Sequence, residues 1–202
     1  SAQAQTPANA APTPAQLAAR STADSAIIHR DWKTLVAVYA PITRDEPQNA
    51  LAWFRLGAGL AELGDLEAAT RAFEQSINLK FQLGQSELRL ARVLARRKLL
   101  DSVPAHLERA AAGGAAVELI TSEQDLEPVR KDPRYVALVT RLEQTRYPCR
   151  SLPEARQFDF WVGDWVVTPW TGAAVSLGRR AENHITAELE HCVIRERWTS
   201  AT

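Results

Sequence analysis

The sequence predicts a mainly α-helical fold, a solenoid of consecutive helix hairpins that is followed by an incomplete antiparallel β segment. Three observations support this fold class. Apolar residues recur at helical spacing along 52–80, and a break at Gly64-Asp65 divides this stretch into two helices. The same pattern returns about 34 residues before and after the stretch. From Phe158 onward the apolar period changes from 3.6 residues to two, the period of a β-strand.

Residues 1–14 form the first predicted segment, an uncharged leader rich in Ala, Gln and Pro. Such a composition cannot bury enough apolar surface to form a packed core, so we expect this leader to be disordered. The chain contains no Met, which indicates that residue 1 is not a translation start. An exported protein begins in this way after its signal peptide is removed, so we expect a periplasmic or secreted location.

The central stretch, 52–80, carries the most specific pattern of the chain. Trp53 is followed by Leu56-Gly57, and Ala69 is followed four residues later by Phe73. Large and small residues alternate in this way where two helices pack closely. The pattern resembles the tetratricopeptide repeat, in which W-x2-L-G lies in the first helix and A-x3-F in the second. The resemblance implies a right-handed superhelix of helix pairs that binds proteins or peptides.

Two weaker repeats flank the central one. A shift of about 34 residues toward the N terminus places Asp31 on Asp65 and Tyr39 on Phe73. The same shift toward the C terminus places Leu107 on Phe73. Because terminal repeats cap a stack and depart from the consensus, we predict about three repeats.

Capping helices follow the third repeat and complete a predicted helical domain at 15–147. Ser122 and Asp125 have the spacing of a capping box. Asp132-Pro133 has the form of a helix cap followed by a first-turn proline. The next helix carries an apolar face that can close the end of the solenoid.

The predicted β segment, 148–202, contains three runs of strand-forming residues. FDFWVGDW at 158–165 and CVIRERW at 192–198 resemble the beginning of an uncharacterised domain of exported bacterial proteins. This resemblance implies a lipocalin-like antiparallel barrel whose first strand carries Gly163-Asp164-Trp165. Three strands cannot close a barrel, so they would pack on the helices, pair with another chain, or belong to a longer protein. We favour the longer protein.

The chain has two cysteines, Cys149 and Cys192. In an exported protein an isolated pair is more often a disulfide than two free thiols. A bridge would contribute about 3–4 kcal/mol on the chain-entropy model. The alternative is that Cys192 is a small buried apolar residue and Cys149 a free surface thiol.

Charge and hydropathy argue against two classes of partner. The chain has 24 basic and 24 acidic residues, so no net charge attracts it to nucleic acid or to an anionic membrane. No apolar run approaches the ~18 residues that a membrane span requires.

No constellation of residues predicts catalysis, so we expect no enzyme activity and no cofactor. The sequence contains neither G-x-S-x-G nor a Gly-rich phosphate loop. His184, Glu188, His191 and Cys192 lie close together in the sequence, but their spacing is not that of a structural zinc site. Solvated histidines on strands are the preferred interpretation, and no metal is expected.

Binding is better supported than catalysis. In stacked repeats the first helix of each unit lines the concave face, and residues beside its packing stripe contact the partner. In the central and third repeats the candidate groove residues are Phe54, Arg55, Glu62, Arg89, Arg92 and Arg96. The last three lie at i, i+3 and i+7 on one helix face, and the planar guanidinium fork of arginine suits a carboxylate.

The predicted function is a non-enzymatic scaffold whose groove binds a protein or peptide, one that is acidic or ends in a free carboxylate. The resemblance to repeats that clamp a terminal carboxylate goes no further, because the asparagines of those clamps are missing. Three alternatives stay open. The arginines form an ordinary solvated face, helped by Glu87; a full barrel carries or senses a small apolar ligand; or an enzyme's chemistry lies beyond residue 202. The oligomeric state is not predicted.

Overall fold

The computed structural model describes residues 14–167, 181–189 and 192–200. All of the predicted leader except Pro14 lies outside the described residues, as do the stretch 168–180 and His191. The chain divides between Leu138 and Val139 into two units. The domain boundaries proposed from the sequence stay predictions.

The described part of the first unit begins with six helices that pair into three hairpins. They are α1 (Pro14–Ile28), α2 (Trp32–Asp45), α3 (Ala50–Leu63), α4 (Leu66–Asn78), α5 (Leu83–Arg96) and α6 (Val103–Ala112). Each helix packs against the next one along the chain, and α3 also contacts α5. These consecutive helix hairpins, together with the strands described below, confirm the predicted fold class.

The turn inside each hairpin contains a residue in the left-handed backbone conformation. Arg30, Gly64 and Lys98 have φ angles of 55°, 87° and 62°. Only Gly64 is the residue type that this conformation favours, because a side chain beyond hydrogen clashes with the backbone there. The turn geometry therefore persists in the outer hairpins although its sequence signature is lost.

Three of these helices begin with a side-chain cap. Asp31, Asn49 and Asp65 each accept the backbone N–H of the residue three positions later, at 3.1 Å. Each contact satisfies one of the N–H groups that the first turn of a helix leaves unpaired. These caps fix the residues at which α2, α3 and α4 begin.

The core of the first unit lies between the hairpins. Its largest fully buried side chains are Leu35, Phe73, Leu90, Val93, Val103, Leu107, Ile120, Leu126, Val129 and Leu138. Phe73 packs on Gly57, where an added Cβ would lie 3.1 Å from the ring. The small residue at Gly57 thus lets α3 and α4 approach closely.

A capping segment follows the third hairpin. It comprises α7 (Val117–Ser122), a 3₁₀ helix (Gln124–Val129) and α8 (Pro133–Arg146), which continues into the second unit. α8 begins at the predicted proline, and Asp132 accepts the Arg134 N–H at 2.8 Å. The predicted capping box is wrong: Ser122 ends α7 and donates to the Leu119 carbonyl at 3.3 Å. Asp125 instead accepts a hydrogen bond from an arginine of α5, as shown below.

The described part of the second unit contains a short helix and three strands. They are α9 (Pro148–Ser151), β1 (Gly163–Val167), β2 (Ala181–Glu188) and β3 (Val193–Ser200). The sheet order is β1-β2-β3, and both pairs are antiparallel. In this register Trp165 lies opposite Asn183, which lies opposite Trp198. A lipocalin-like barrel stays a prediction.

Cys149 and Cys192 form a disulfide within the second unit, with their Cα atoms 5.1 Å apart. Cys149 lies in α9, and Cys192 lies immediately before β3. The bridge therefore joins the segment that precedes the sheet to its third strand.

Candidate functional site

The first helices of the second and third hairpins, α3 and α5, border a narrow cleft. Its lining includes Glu62 from α3, Arg89, Arg92 and Arg96 from α5, and Asp125 from the capping segment. The cleft encloses about 10 Å³, the space of one water molecule. Four of the six candidate groove residues therefore lie in one place.

Arg92 is engaged within the chain. Its Nε lies 2.9 Å from Oε2 of Glu123, and its Nη2 lies 2.9 Å from Oδ2 of Asp125. The Arg92 side chain is only 19% exposed, so these contacts are partly shielded from water. The two carboxylates occupy the Nε and Nη2 side of the guanidinium and balance its charge, so Arg92 is less available to a further anion than an unpaired arginine is. Arg92 therefore fastens the capping segment to α5.

Arg96 is also engaged, although its side chain is exposed. Its Nη1 donates to the Ala61 carbonyl at 2.8 Å. Ala61 lies in the last turn of α3, and its carbonyl also accepts the Gly64 N–H at 3.2 Å. Arg96 thus ties the end of α3 to α5 and keeps its other donors toward solvent.

Arg89 differs from both. Its side chain is half-buried, and within the described part of the chain it has no hydrogen-bond or ion-pair partner. Burial lowers the pKa of the Arg89 guanidinium, and the positive charge of Arg92 lowers it further. Because a guanidinium in a protein keeps its proton, Arg89 is a partly desolvated cation. The charges of Glu123 and Glu62 oppose the lowering of its pKa, but among the described residues neither carboxylate forms a hydrogen bond or ion pair with it.

Arg55 and Glu62 of α3 flank this cation. Neither forms a hydrogen bond or ion pair among the residues that the structure describes. The charge of Arg55 lowers the pKa of Arg89, whereas the charge of Glu62 raises it. Glu62 lines the cleft together with Arg89, whereas Arg55 is not part of the lining.

Phe54 takes part in packing. Its ring centroid lies 5.8 Å from that of Phe73 in an edge-to-face arrangement and 5.5 Å from that of Phe81. Such aromatic pairs contribute about 0.5–1.5 kcal/mol beyond their buried area. The ring is engaged with these neighbours. Of the six candidate residues, Arg55, Glu62 and Arg89 are therefore the ones without such an internal contact in the described part of the chain.

The solvated-face alternative supposed that Glu87 helps to neutralise the groove arginines. The structure instead engages Glu87 elsewhere. Glu87 is 5% exposed and pairs with two side chains of α6. Its Oε1 accepts from Nε of Arg109 at 2.9 Å, and its Oε2 lies 2.7 Å from Nδ1 of His106. Glu87 therefore joins the two helices of the third hairpin.

Sequence reasoning missed the acidic partners of Arg92. Glu123 lies 34 residues after Arg89, one repeat length further along the chain. The repeat register would have placed Glu123, which lies between α7 and the 3₁₀ helix, beside the arginine stripe. The spacing of Ser122 and Asp125 instead favoured a local helix cap.

Within 14–167, 181–189 and 192–200, no group of three or more His, Cys, Asp and Glu side chains is placed to hold a metal ion. His191 lies outside these ranges. The helices that the structure describes include none long and apolar enough to cross a membrane.

No family profile and no curated protein sequence matches the chain. Among solved structures, the chain is similar to the TPR2B domain of yeast Sti1 in its complex with pHsp70, at 18% identity and a TM-score of 0.46. That match covers 62% of this chain and 96% of the Sti1 chain.

A second similar structure is MamA of AMB-1, at 21% identity and a TM-score of 0.44. It covers 52% of this chain and 59% of the MamA chain. Within this chain the hairpin turns at Arg30, Gly64 and Lys98 recur about every 34 residues, the length of a tetratricopeptide repeat. The fold is a tetratricopeptide-type helix-hairpin solenoid with a C-terminal antiparallel sheet.

Proposed function

We propose that this chain is a non-enzymatic scaffold that binds an acidic segment of a partner protein across α3 and α5. The observation that carries the proposal is Arg89, a half-buried guanidinium with no partner in the described part of the chain. A desolvated charge without a partner raises the free energy of the protein. A carboxylate of a bound peptide would supply that partner and accept two parallel hydrogen bonds.

The surroundings of Arg89 favour an extended ligand. Helix-hairpin solenoids present extended surfaces on their first helices, and two of these helices meet at this cleft. Arg55 adds a second unpaired guanidinium, and Glu62 offers an acceptor to peptide N–H groups or to a basic side chain. An acidic side chain and a terminal carboxylate are both suitable anions for Arg89.

The internal contacts decide which variant tests this proposal. Charge reversal at Arg92 or Arg96 would break contacts to Glu123, Asp125 and the Ala61 carbonyl. Lost binding would then have a structural explanation. Arg89→Gln removes the charge without breaking a hydrogen bond or an ion pair in the described part of the chain. Arg71→Gln is the matched control, since Arg71 is exposed on α4 and likewise has no described partner.

The experiment is a selection of random 12-residue peptides displayed on phage, carried out on the wild-type chain and on both variants. We expect the wild type and Arg71→Gln to enrich peptides with one or more acidic residues or an acidic C terminus. Arg89→Gln should lose this enrichment. The proposal is wrong if the wild type enriches no peptides, or if Arg89→Gln enriches the same acidic peptides as the wild type.

We further propose a periplasmic or secreted location. The Cys149–Cys192 disulfide supports it, because disulfides persist in oxidising compartments. A full barrel that carries a small apolar ligand stays a second prediction. The three described strands do not by themselves enclose a ligand.

A further inference from the structure

The cleft between α3 and α5 contains an unengaged carboxylate as well as the Arg89 guanidinium. The charged residues of its lining are Glu62, Arg89, Arg92, Arg96 and Asp125. Arg92 is engaged by two carboxylates of the capping segment, and Arg96 by a backbone carbonyl of α3. Two lining charges of opposite sign, at Arg89 and Glu62, therefore have no hydrogen bond or ion pair in the described part of the chain.

Positive and negative charges balance among the described residues that line this cleft or pair with its lining. The three arginines of α5 are matched by Glu62 and by the two carboxylates that hold Arg92, those of Glu123 and Asp125. A peptide that carries only acidic residues therefore gains little from the net charge of the cleft, and it brings a second carboxylate toward Glu62. A peptide with one acidic and one basic residue would instead match both unengaged charges.

The position of Glu62 relative to Arg89 follows from the contact that Arg96 makes. Arg96 donates to the carbonyl of Ala61, the residue before Glu62, at 2.8 Å. Glu62 therefore lies near the Arg96 end of the arginine stripe. Arg89 lies about two helical turns earlier on α5, a distance of about 10 Å along the helix axis. An extended peptide covers this distance in about three residues, which sets the separation of its acidic and basic residues.

We propose that Glu62 binds a basic side chain of the same peptide whose carboxylate binds Arg89, and so selects partners of mixed charge. This inference rests on the proposed function. It narrows the ligand from an acidic segment to one with a lysine or arginine about three residues from the acidic residue. Glu62 is exposed, so such a side chain can reach it. Its carboxylate also repels a second acidic residue, and this repulsion discriminates against polyacidic segments.

The first test repeats the phage selection on a charge-reversed protein. The wild type should enrich a recurrent basic residue, and Glu62→Lys should enrich a second acidic residue in its place. Glu74→Lys is the matched control, because Glu74 is exposed on α4 and has no partner among the residues that the structure describes. This control should enrich the same mixed-charge peptides as the wild type. A loss of folding would abolish enrichment rather than reverse the sign of the enriched residue.

The second test measures affinities by fluorescence polarisation. It uses a dye-labelled peptide from the wild-type selection and a copy whose basic residue is replaced by Gln. Glu62→Gln and the Gln peptide should each weaken binding about threefold, the scale of one exposed ion pair. Combined, they should weaken it little further, because both remove the same contact. Glu74→Gln should bind as the wild type does, and circular dichroism establishes that each variant is folded.

Three results would overturn this inference alone, provided that Arg89→Gln still loses the acidic enrichment. The first is a set of wild-type peptides that are acidic but share no basic position. The second is enrichment of the same basic residue by Glu62→Lys. The third is binding of the labelled peptide by Glu62→Gln as tightly as by the wild type, or more tightly. Failure of the wild type to enrich any peptide would overturn the proposed function and this inference together.

Discussion

Three turn residues, Arg30, Gly64 and Lys98, hold the same left-handed conformation with different side chains. The sequence predicted the turn at Gly64 because glycine adopts positive φ without a Cβ clash. Arg97-Lys98 contains no glycine, yet Lys98 takes the same conformation. The turn inside each hairpin thus keeps its backbone conformation whichever side chain it carries, and local strain is accepted in the outer hairpins.

Replacing Lys98 with Gly should raise the free energy of unfolding by about 0.5–1 kcal/mol. The change removes a left-handed Cβ clash of about 1–2 kcal/mol and adds the greater unfolded-state freedom of glycine. Urea denaturation measures the difference. Lys131→Gly, at an exposed position without positive φ, is the control and should be neutral or destabilising. A stabilisation shared by both variants would contradict this explanation.

Asp31 should make the stability of the first hairpin depend on pH. The Thr34 hydroxyl and then the Thr34 N–H lower the pKa of the Asp31 carboxyl below its ordinary value of 3.8. Because the folded-state pKa is the lower one, the charge stabilises the fold above the ordinary value. This contribution is lost as the pH falls through the folded-state pKa.

Asp31→Asn keeps a capping side chain and removes the charge. The wild type should be the more stable protein at pH 7, and the two should converge as the pH falls below 3.8. Urea titrations across this pH range measure the difference. An unchanged difference at every pH would show that the charge does not contribute.

At the scale of elements, α5 and the end of α6 approach backbone to backbone. An added Cβ on Gly84 would lie 2.5 Å from the Gly113 carbonyl oxygen. Gly113 directly follows α6, where glycine is a common helix stop, but the sequence carries no sign of its contact with a residue far away in the chain. Local turn chemistry is visible in a sequence, whereas a tertiary approach of two glycines is not.

Gly84→Ala should therefore destabilise the first unit by about 1–3 kcal/mol, the cost of overpacking. The neighbour is backbone, which cannot move without displacing a helix end. Gly57→Ala is the comparison, because its added Cβ meets the Phe73 ring at 3.1 Å and a ring can shift. Thermal and urea unfolding measure both variants. Equal or smaller loss in Gly84→Ala would contradict the close approach.

The disulfide acts at the same scale, because it joins α9 to the start of β3. Cys192→Ser should lower the stability of the second unit by about 3–4 kcal/mol on the chain-entropy model. In the purified wild-type protein, neither thiol should be alkylated under denaturing conditions until a reductant is added. Alkylation of both cysteines without reductant would show that the bridge does not form.

At the scale of the whole molecule, periodicity predicted the fold better than it predicted the site. Helix spacing and a repeat length are local signals, so three hairpins and three strands followed from the sequence. The sequence treated Arg89, Arg92 and Arg96 as one equivalent stripe. Tertiary contacts separate them: Arg92 binds the capping segment, Arg96 binds the end of α3, and Arg89 stays unpaired in the described part of the chain.

The central claim is that the Arg89 guanidinium, on the face that α3 and α5 form, binds a carboxylate of a partner. The most direct test is an NMR titration that follows the Nε–H signals of ¹⁵N-arginine-labelled protein while acetyl-Glu-Glu-Glu is added. Arg89→Gln and Arg71→Gln assign the two signals of interest by their disappearance. We predict that the Arg89 signal shifts saturably while the Arg71 signal stays in place. An unchanged Arg89 signal, or equal small shifts of all arginines, would contradict the claim.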